Sequence, residues 1–279
     1  MSSTIRLIDL RHLGRERVIG SWLVGDVLID PGPESCMQTL LDGLDGQPPR
    51  VIALTHIHLD HAGATGSLLR RFPDAEVWVH ERGARHLIDP AKLLASAGRL
   101  YGDDMERLWG EVVPVPAERV RSLTGGERVD GFEVAYTPGH ASHHVAYLHE
   151  QSGTVFCGDV GGVRIGQDAP ALAPTPPPDI DLPAWRESLE KIEAWKPRAL
   201  VPTHFGRYED VAEHLGRLRE SVDTLELLAR EEDEAQFVRG VRDQLSASGA
   251  DPDTSAAYEQ AMPFDQAFAG MRRYIEKSS

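Results

Sequence analysis

The heptapeptide Thr55-His56-Ile57-His58-Leu59-Asp60-His61 constrains this chain more than any other stretch. The apolar run Val51-Ile52-Ala53-Leu54 before it has the make-up of a short strand. Ala62-Gly63-Ala64-Thr65-Gly66 after it reads as a tight turn opening a helix. Three imidazoles and a carboxylate therefore sit where a strand ends and a helix begins. Such a junction fixes the backbone and leaves side chains free to converge. In extended backbone, residues two apart point the same way, so His56 and His58 can grip one cation from one side. Asp60 and His61 follow as the chain turns and can face a second cation close by. Imidazole nitrogen and carboxylate oxygen suit zinc, and also iron or manganese. The bland alternative is a His-rich surface turn. The apolar strand before the cluster and the glycines after it argue instead for a buried site.

The rest of the chain reads as strands and helices around that junction. Residues 5–10, 18–24 and 27–30 are expected strands, with Gly25-Asp26 as a hairpin turn. Residues 34–44 read as a helix, 67–72 continue the helix after the cluster, and 76–80 form the next strand. Residues 81–87 and 90–109 look helical, broken near Gly98 and Gly102, and are expected to insert over one face of the site. Short strands at 120–123 and 128–129 flank Gly125-Gly126, and 131–137 alternates at period two. Strands at 144–149 and 154–157 follow, then a Gly- and Pro-rich loop over 160–178. Asp181 can cap a helix at 183–195, and 199–202 is a last short strand. From Tyr208 the pattern turns helical, with Leu215, Leu218, Val222, Leu225 and Leu228 at helical spacing. The chain thus divides into 1–207 and a helical extension, 208–279. The extension either packs on the main domain for stability or serves as a lid or a homodimer contact.

Charge narrows the partners. A net charge of −15 argues against a nucleic acid, which needs a basic face. No apolar run is long enough for a membrane span, and Met1-Ser2-Ser3-Thr4 lacks the opening of a secretory signal, so a soluble, cytoplasmic protein is expected. The two cysteines, Cys36 and Cys157, form no metal or redox motif and read as small buried hydrophobes.

Three further candidate ligands, His140, Asp159 and His204, each stand at a strand end. With the first cluster they make an ordered series: His56-Ile57-His58-Leu59-Asp60-His61, Thr137-Pro138-Gly139-His140, Cys157-Gly158-Asp159 and Pro202-Thr203-His204. In this series the chain resembles the metallo-β-lactamase superfamily over about residues 4 to 207. The resemblance implies an α/β, four-layer αββα sandwich with the helical extension outside it. It implies two divalent metal ions, zinc first. His56, His58 and His140 would bind one, Asp60, His61 and His204 the other, and Asp159 would bridge. Hydroxide generated between two such cations would attack the substrate. Asp60 would be the catalytic residue, orienting that nucleophile or passing a proton to the leaving group.

Within the superfamily, His61 together with Asp159 resembles the glyoxalase II-like hydrolases and lactonases. A small ester, thioester or lactone is then the expected substrate. Two features depart from those branches. The stretch Val160 to Gly166 lacks the Lys/Tyr loop of glutathione recognition, and Gly162 stands where the best-known lactonases carry Tyr. Arg164 or Tyr208 could stand in, although a surface or loop-packing role suits both residues better. His144 reads as supporting a ligand, while His80, His86, His149 and His214 carry no pattern. The alternatives are a mononuclear-iron, sulfur dioxygenase-like enzyme and a phosphodiesterase.

Overall fold

A computed structural model describes residues 4–278; Met1 to Ser3, part of the start read above for a leader, and Ser279 lie outside the described residues. The first sheet takes its strands in chain order: β1 (Ile5–Asp9), β2 (Gly20–Val24), β3 (Val27–Ile29), β4 (Val51–Ala53), β5 (Glu76–His80) and β6 (Val120–Leu123). The β1–β2 and β2–β3 pairs are antiparallel, as a hairpin demands. From β3 to β6 the pairs are parallel, so each step needs a crossover. Helix α1 (Met37–Leu44) makes the first crossover, and α2 (Leu59–Ala62) with α3 (Thr65–Arg71) makes the second. The third is long: α4 (Glu81–Ile88), α5 (Ala91–Tyr101) and α6 (Met105–Trp109).

The second sheet runs in the order β11-β10-β9-β8-β7, from β7 (Arg128–Val129), β8 (Phe132–Tyr136), β9 (Val145–His149), β10 (Thr154–Phe156) and β11 (Ala199–Val201). Its only parallel pair among the described residues is β10–β11, joined by α7 (Leu182–Ala194). The two-residue period of the strands divides the core into layers. Val51 and Ala53 of β4 face Phe132, Tyr147 and Phe156 of the other sheet, while Ile52 between them packs toward the helices. This is the expected αββα sandwich.

Local boundaries differ in places. Gly98 does not break its helix but lies inside α5, where an added Cβ would meet nothing within 4 Å. A glycine facing open space costs only helix propensity, about 1 kcal/mol, which neighbouring turns absorb. The break is at Gly102, whose φ of +52° leaves the helical region. Residues 34–36 form a 3-10 turn ahead of α1.

After β11 come α8 (Val211–Glu231), α9 (Glu234–Ala247), α10 (Pro252–Ala261) and α11 (Phe264–Ser278). Leu215, Leu218, Val222 and Leu225 of α8 are buried in the same apolar cluster as Val160, Leu172 and Leu189 of the preceding chain. Among the described residues, no helix is long and apolar enough to cross a membrane.

Candidate metal centre

The sandwich brings the expected ligands together at one edge. His56, His58, Asp60 and His61 follow β4, His140 lies between β8 and β9, Asp159 follows β10, and His204 follows β11. Gly158 makes the approach possible. Its φ is +47°, and a Cβ there would stand 2.5 Å from Thr55 Oγ1 and 2.7 Å from His144 Nε2.

The side chains fall into two groups sharing one carboxylate. In the first, His58 Nδ1 lies 2.9 Å from His56 Nε2 and 3.0 Å from His140 Nε2. In the second, Asp60 Oδ2 lies 3.6 Å from His61 Nε2 and 3.3 Å from His204 Nε2. Asp159 turns one oxygen to each group. Its Oδ1 is 3.1 Å from His61 Nε2 and 3.5 Å from His204 Nε2, and its Oδ2 is 3.4 Å from His140 Nε2.

The outer ring nitrogens are held by acceptors. His61 Nδ1 donates to Asp30 Oδ2 (2.9 Å), His140 Nδ1 to the Pro174 carbonyl (2.8 Å), and His204 Nδ1 to the Val18 carbonyl (2.6 Å). Each Nε2 thereby faces inward, and in the neutral ring it carries the lone pair a metal requires. His61 Nε2, His204 Nε2 and Asp159 Oδ1 are buried and have no hydrogen-bond partner. An unmatched buried polar atom costs about 1–3 kcal/mol, so three together call for a cation. Nitrogen and carboxylate donors fit a divalent metal at both groups.

Electrostatics separates the two halves. Burial, then the neighbouring imidazoles, holds His56 well below its usual pKa and His58 down at about 4. Both are neutral, as ligands must be, at physiological pH. Burial also opposes charge on His61, but Asp159, Asp60 and Asp30 outweigh it and raise its pKa. The converse field of His61, His204 and His140 overcomes desolvation at Asp159 and keeps it ionised. The second group is thus rich in charge and the first is not.

His144 has the supporting place expected for it: Nδ1 meets Thr137 Oγ1 at 2.9 Å and Nε2 accepts from the Val160 amide at 3.4 Å. Arg164 and Tyr208 do not stand in for a substrate-binding tyrosine. Arg164 is buried, pairs with Asp210 at 2.7 Å and stacks 4.2 Å over the Tyr208 ring, whose hydroxyl donates to the Arg164 carbonyl. Neither is among the residues that line the cavity; the Arg164 guanidinium is engaged by Asp210 and His214 at the start of α8. Cys36 and Cys157 are buried free thiols.

A cavity of about 610 Å³ opens over the cluster, with His58, Asp60 and Asp159 in its floor. One wall comes from α4–α6 and another from the junction of α10 and α11 around Met262. Sequence reasoning missed His12, which joins these parts. Its Nε2 donates to the Leu108 carbonyl (2.9 Å), its ring stacks on Trp109 at 5.5 Å, and Gln260 Nε2 donates to its carbonyl (2.8 Å). Asp30 was missed too. A lone Asp at a strand end, or a lone His before Leu-Gly, carries no signal in a single sequence.

With fold and cluster in view, the similarity to known proteins is specific. The model of the metallo-beta-lactamase superfamily matches residues 16–204, and the chain belongs to that superfamily. It is similar to a metallo-beta-lactamase fold-containing protein of Sulfurisphaera tokodaii, 32% identical over 64% of this chain and 68% of that one. A hydroxyacylglutathione hydrolase of Hamiltonella defensa is 30% identical over 56% of this chain, and the match spans only 51% of that enzyme. Among solved structures, an archaeal superfamily protein from Sulfolobus tokodaii superposes with a TM-score of 0.71 at 22% identity, covering 97% of this chain and 98% of that one. The protein TTHA1623, solved in a di-iron-bound form, superposes at 0.55 with 30% identity over 71% of this chain and 91% of its own.

Proposed function

We propose that the chain is a dinuclear metallohydrolase cleaving a small ester, thioester or lactone. The observation that carries this reading is Asp159, with one oxygen turned to the His61–His204 side and the other to His140. His56, His58 and His140 would hold one metal, Asp60, His61 and His204 the second, with Asp159 between. When bound, the metals supply Lewis acidity, lowering the pKa of water and polarising the oxygen under attack. The chain does the rest. The outer acceptors keep each imidazole turned inward, and the cavity walls exclude solvent. Asp60, a fifth of whose side chain is exposed, is kept ionised despite its burial by His61 and His204, and as a carboxylate it would orient the nucleophile or relay its proton to the leaving group.

The unmatched donors of the second group favour two metals over a single-iron oxygenase site. Zinc suits the donors, and a relative solved with two irons makes iron the next choice. The division at 207/208 belongs to the same reading, with the extension closing the cavity from one side. The similarity to a hydroxyacylglutathione hydrolase supports the thioester class, without implying glutathione.

The test combines metal analysis with a panel of thioesters, lactones, esters, phosphodiesters and β-lactams. Two metals per chain and turnover of a carboxylic ester or thioester are expected. His58→Ala and Asp159→Ala should lose both metal and turnover. Wild-type metal content in both variants, or one iron with thiol-dependent oxygen uptake, would overturn the reading.

A further inference from the structure

We propose that the cavity selects a substrate whose far end carries an anion, a carboxylate or phosphate, and that Arg82, Arg85 and Lys92 receive it. This rests on the cavity above being the substrate site of a hydrolase.

All three bases line that cavity. Arg82 and Arg85 lie one turn apart on α4, so they share a face, and Lys92 lies in the first turn of α5. The chain has 44 acidic against 29 basic side chains, yet among the described residues none of these three pairs with a carboxylate. Most arginines elsewhere on the surface do pair, as Arg50 does with Asp26 and Arg186 with Asp223. Three cations without a carboxylate partner on one cavity wall of so acidic a protein are a feature its overall charge opposes.

Packing ties this wall to the metal cluster. A Cβ on Gly83, between the two arginines, would come within 2.9 Å of Ile57 Cγ2 and 3.5 Å of His143 Cβ. Ile57 sits between His56 and His58, so α4 lies directly against the ligand loop. Arg82 is also held in place: Nη1 donates to Tyr136 Oη at 2.9 Å, and Tyr136 Oη donates to the Ser142 carbonyl at 2.9 Å. A guanidinium fixed in this way loses little entropy when it meets an anion. Arg85, whose Nε donates to His86 Nε2 at 3.1 Å, and Lys92 are both exposed and within the lining that a ligand would meet. Their field reaches His86, whose charged form is disfavoured first by burial and then by Arg85 and Lys92, with Asp89 and Asp179 acting the other way. Asp179, also in the lining, accepts a hydrogen bond from Ser142 Oγ at 2.8 Å.

The rest of the lining is mixed: Leu93, Leu100, Trp109, Met262 and the run from Pro176 to Pro178 are apolar, while Asp104, Asp179 and Asp265 place carboxylates elsewhere on it. The space, about 610 Å³, suits a small molecule of ordinary size. The occupant that fits is therefore a short apolar chain with the scissile group at the metals and an anion at the α4–α5 wall.

The experiment is equilibrium binding to the full-length, metal-loaded protein by titration calorimetry, with product-like probes of equal length. Adipate carries the second anion, hexanoate lacks it, and 6-phosphonohexanoate replaces it with a phosphonate. Either dianion should bind about tenfold more tightly than hexanoate, and the better of the two identifies the anion. The double variant Arg85→Glu/Lys92→Glu, at two exposed positions, should erase or reverse that preference while hexanoate binding stays. Equal affinities in the wild type, no binding of any probe at millimolar concentration, or an intact preference in the variant overturns the proposal. Should the dianions bind as expected while no ester is turned over, the hydrolase reading fails and the anion wall stands.

Discussion

Asp30 accepts four hydrogen bonds: from the Thr55 amide (2.8 Å), the Thr55 and Thr203 hydroxyls (2.7 Å each) and His61 Nδ1 (2.9 Å). It is buried, and its φ of +48° lies in the left-handed region that a non-glycine residue enters only when its surroundings demand it. Thr55 and Thr203 belong to the ends of β4 and β11, so one carboxylate ties the two sheets together beneath the second ligand group. Asp30→Ala would leave two hydroxyls, an amide and a ring N–H without an acceptor. We expect metal affinity to fall 10–100-fold and stability by about 3 kcal/mol or more, read by chelator competition and by denaturant titration. Unchanged metal affinity would show that His61 needs no orienting partner. The heptapeptide was legible because its residue types are costly anywhere else. Asp30 was not, since nothing local distinguishes a supporting carboxylate from a turn residue.

Among the elements, α11 has a role its amphipathic sequence does not announce. Gly270 packs so closely on the 174–177 loop that a Cβ would stand 1.9 Å from the Thr175 carbonyl, and Thr175 Oγ1 donates to the Ala267 carbonyl at 3.1 Å. The neighbouring Pro174 carbonyl is the acceptor that orients His140. Helix and ligand are therefore one residue apart in the loop. Gly270→Val should cost about 1–3 kcal/mol through overpacking and weaken the His56–His58–His140 site. The measurements are the thermal midpoint and the metal stoichiometry; a wild-type midpoint would mean that α11 is not seated on the loop. The strand–helix order, the long insertion and the helical character of the extension could be read from the sequence pattern. The α11–loop contact could not, because its essential residue is a glycine, which leaves no apolar signal.

At the scale of the whole molecule, the helical extension and the sandwich share one apolar cluster. Removing 208–279 would uncover Val160, Val163, Leu172 and Leu189 together, a patch large enough to drive aggregation. We expect the 1–207 fragment to be insoluble or molten, judged by loss of a cooperative unfolding transition. The seam also carries a pH dependence. His214 of α8 donates from Nε2 to the Gly161 carbonyl (2.8 Å) and accepts from Arg164 at Nδ1 (3.2 Å). Burial holds its pKa down at about 4, against 6.5 for a free imidazole. Below pH 6.5 the unfolded chain takes a proton that the folded chain refuses until about 4, so stability falls across that window as pH drops. The loss over the whole window is on the order of 3 kcal/mol. Urea midpoints at pH 7.5 and 4.5 should therefore lie closer together for His214→Gln than for the wild type. Equal spacing would rule this residue out as the source.

The sequence by itself determined the superfamily, the αββα architecture and the set of side chains that meet at one sheet edge. These depend on local order: which residue types end which strands, and in what succession. Only the tertiary structure decided that Arg164 and Tyr208 pack at the seam and not in the cavity, that His12 joins loop, insertion and extension, and that Arg82, Arg85 and Lys92 line the same cavity as His58, Asp60 and Asp159. Those are relations between segments tens to hundreds of residues apart. A pattern along the chain cannot record them, because the distance that matters is set by packing and not by sequence separation.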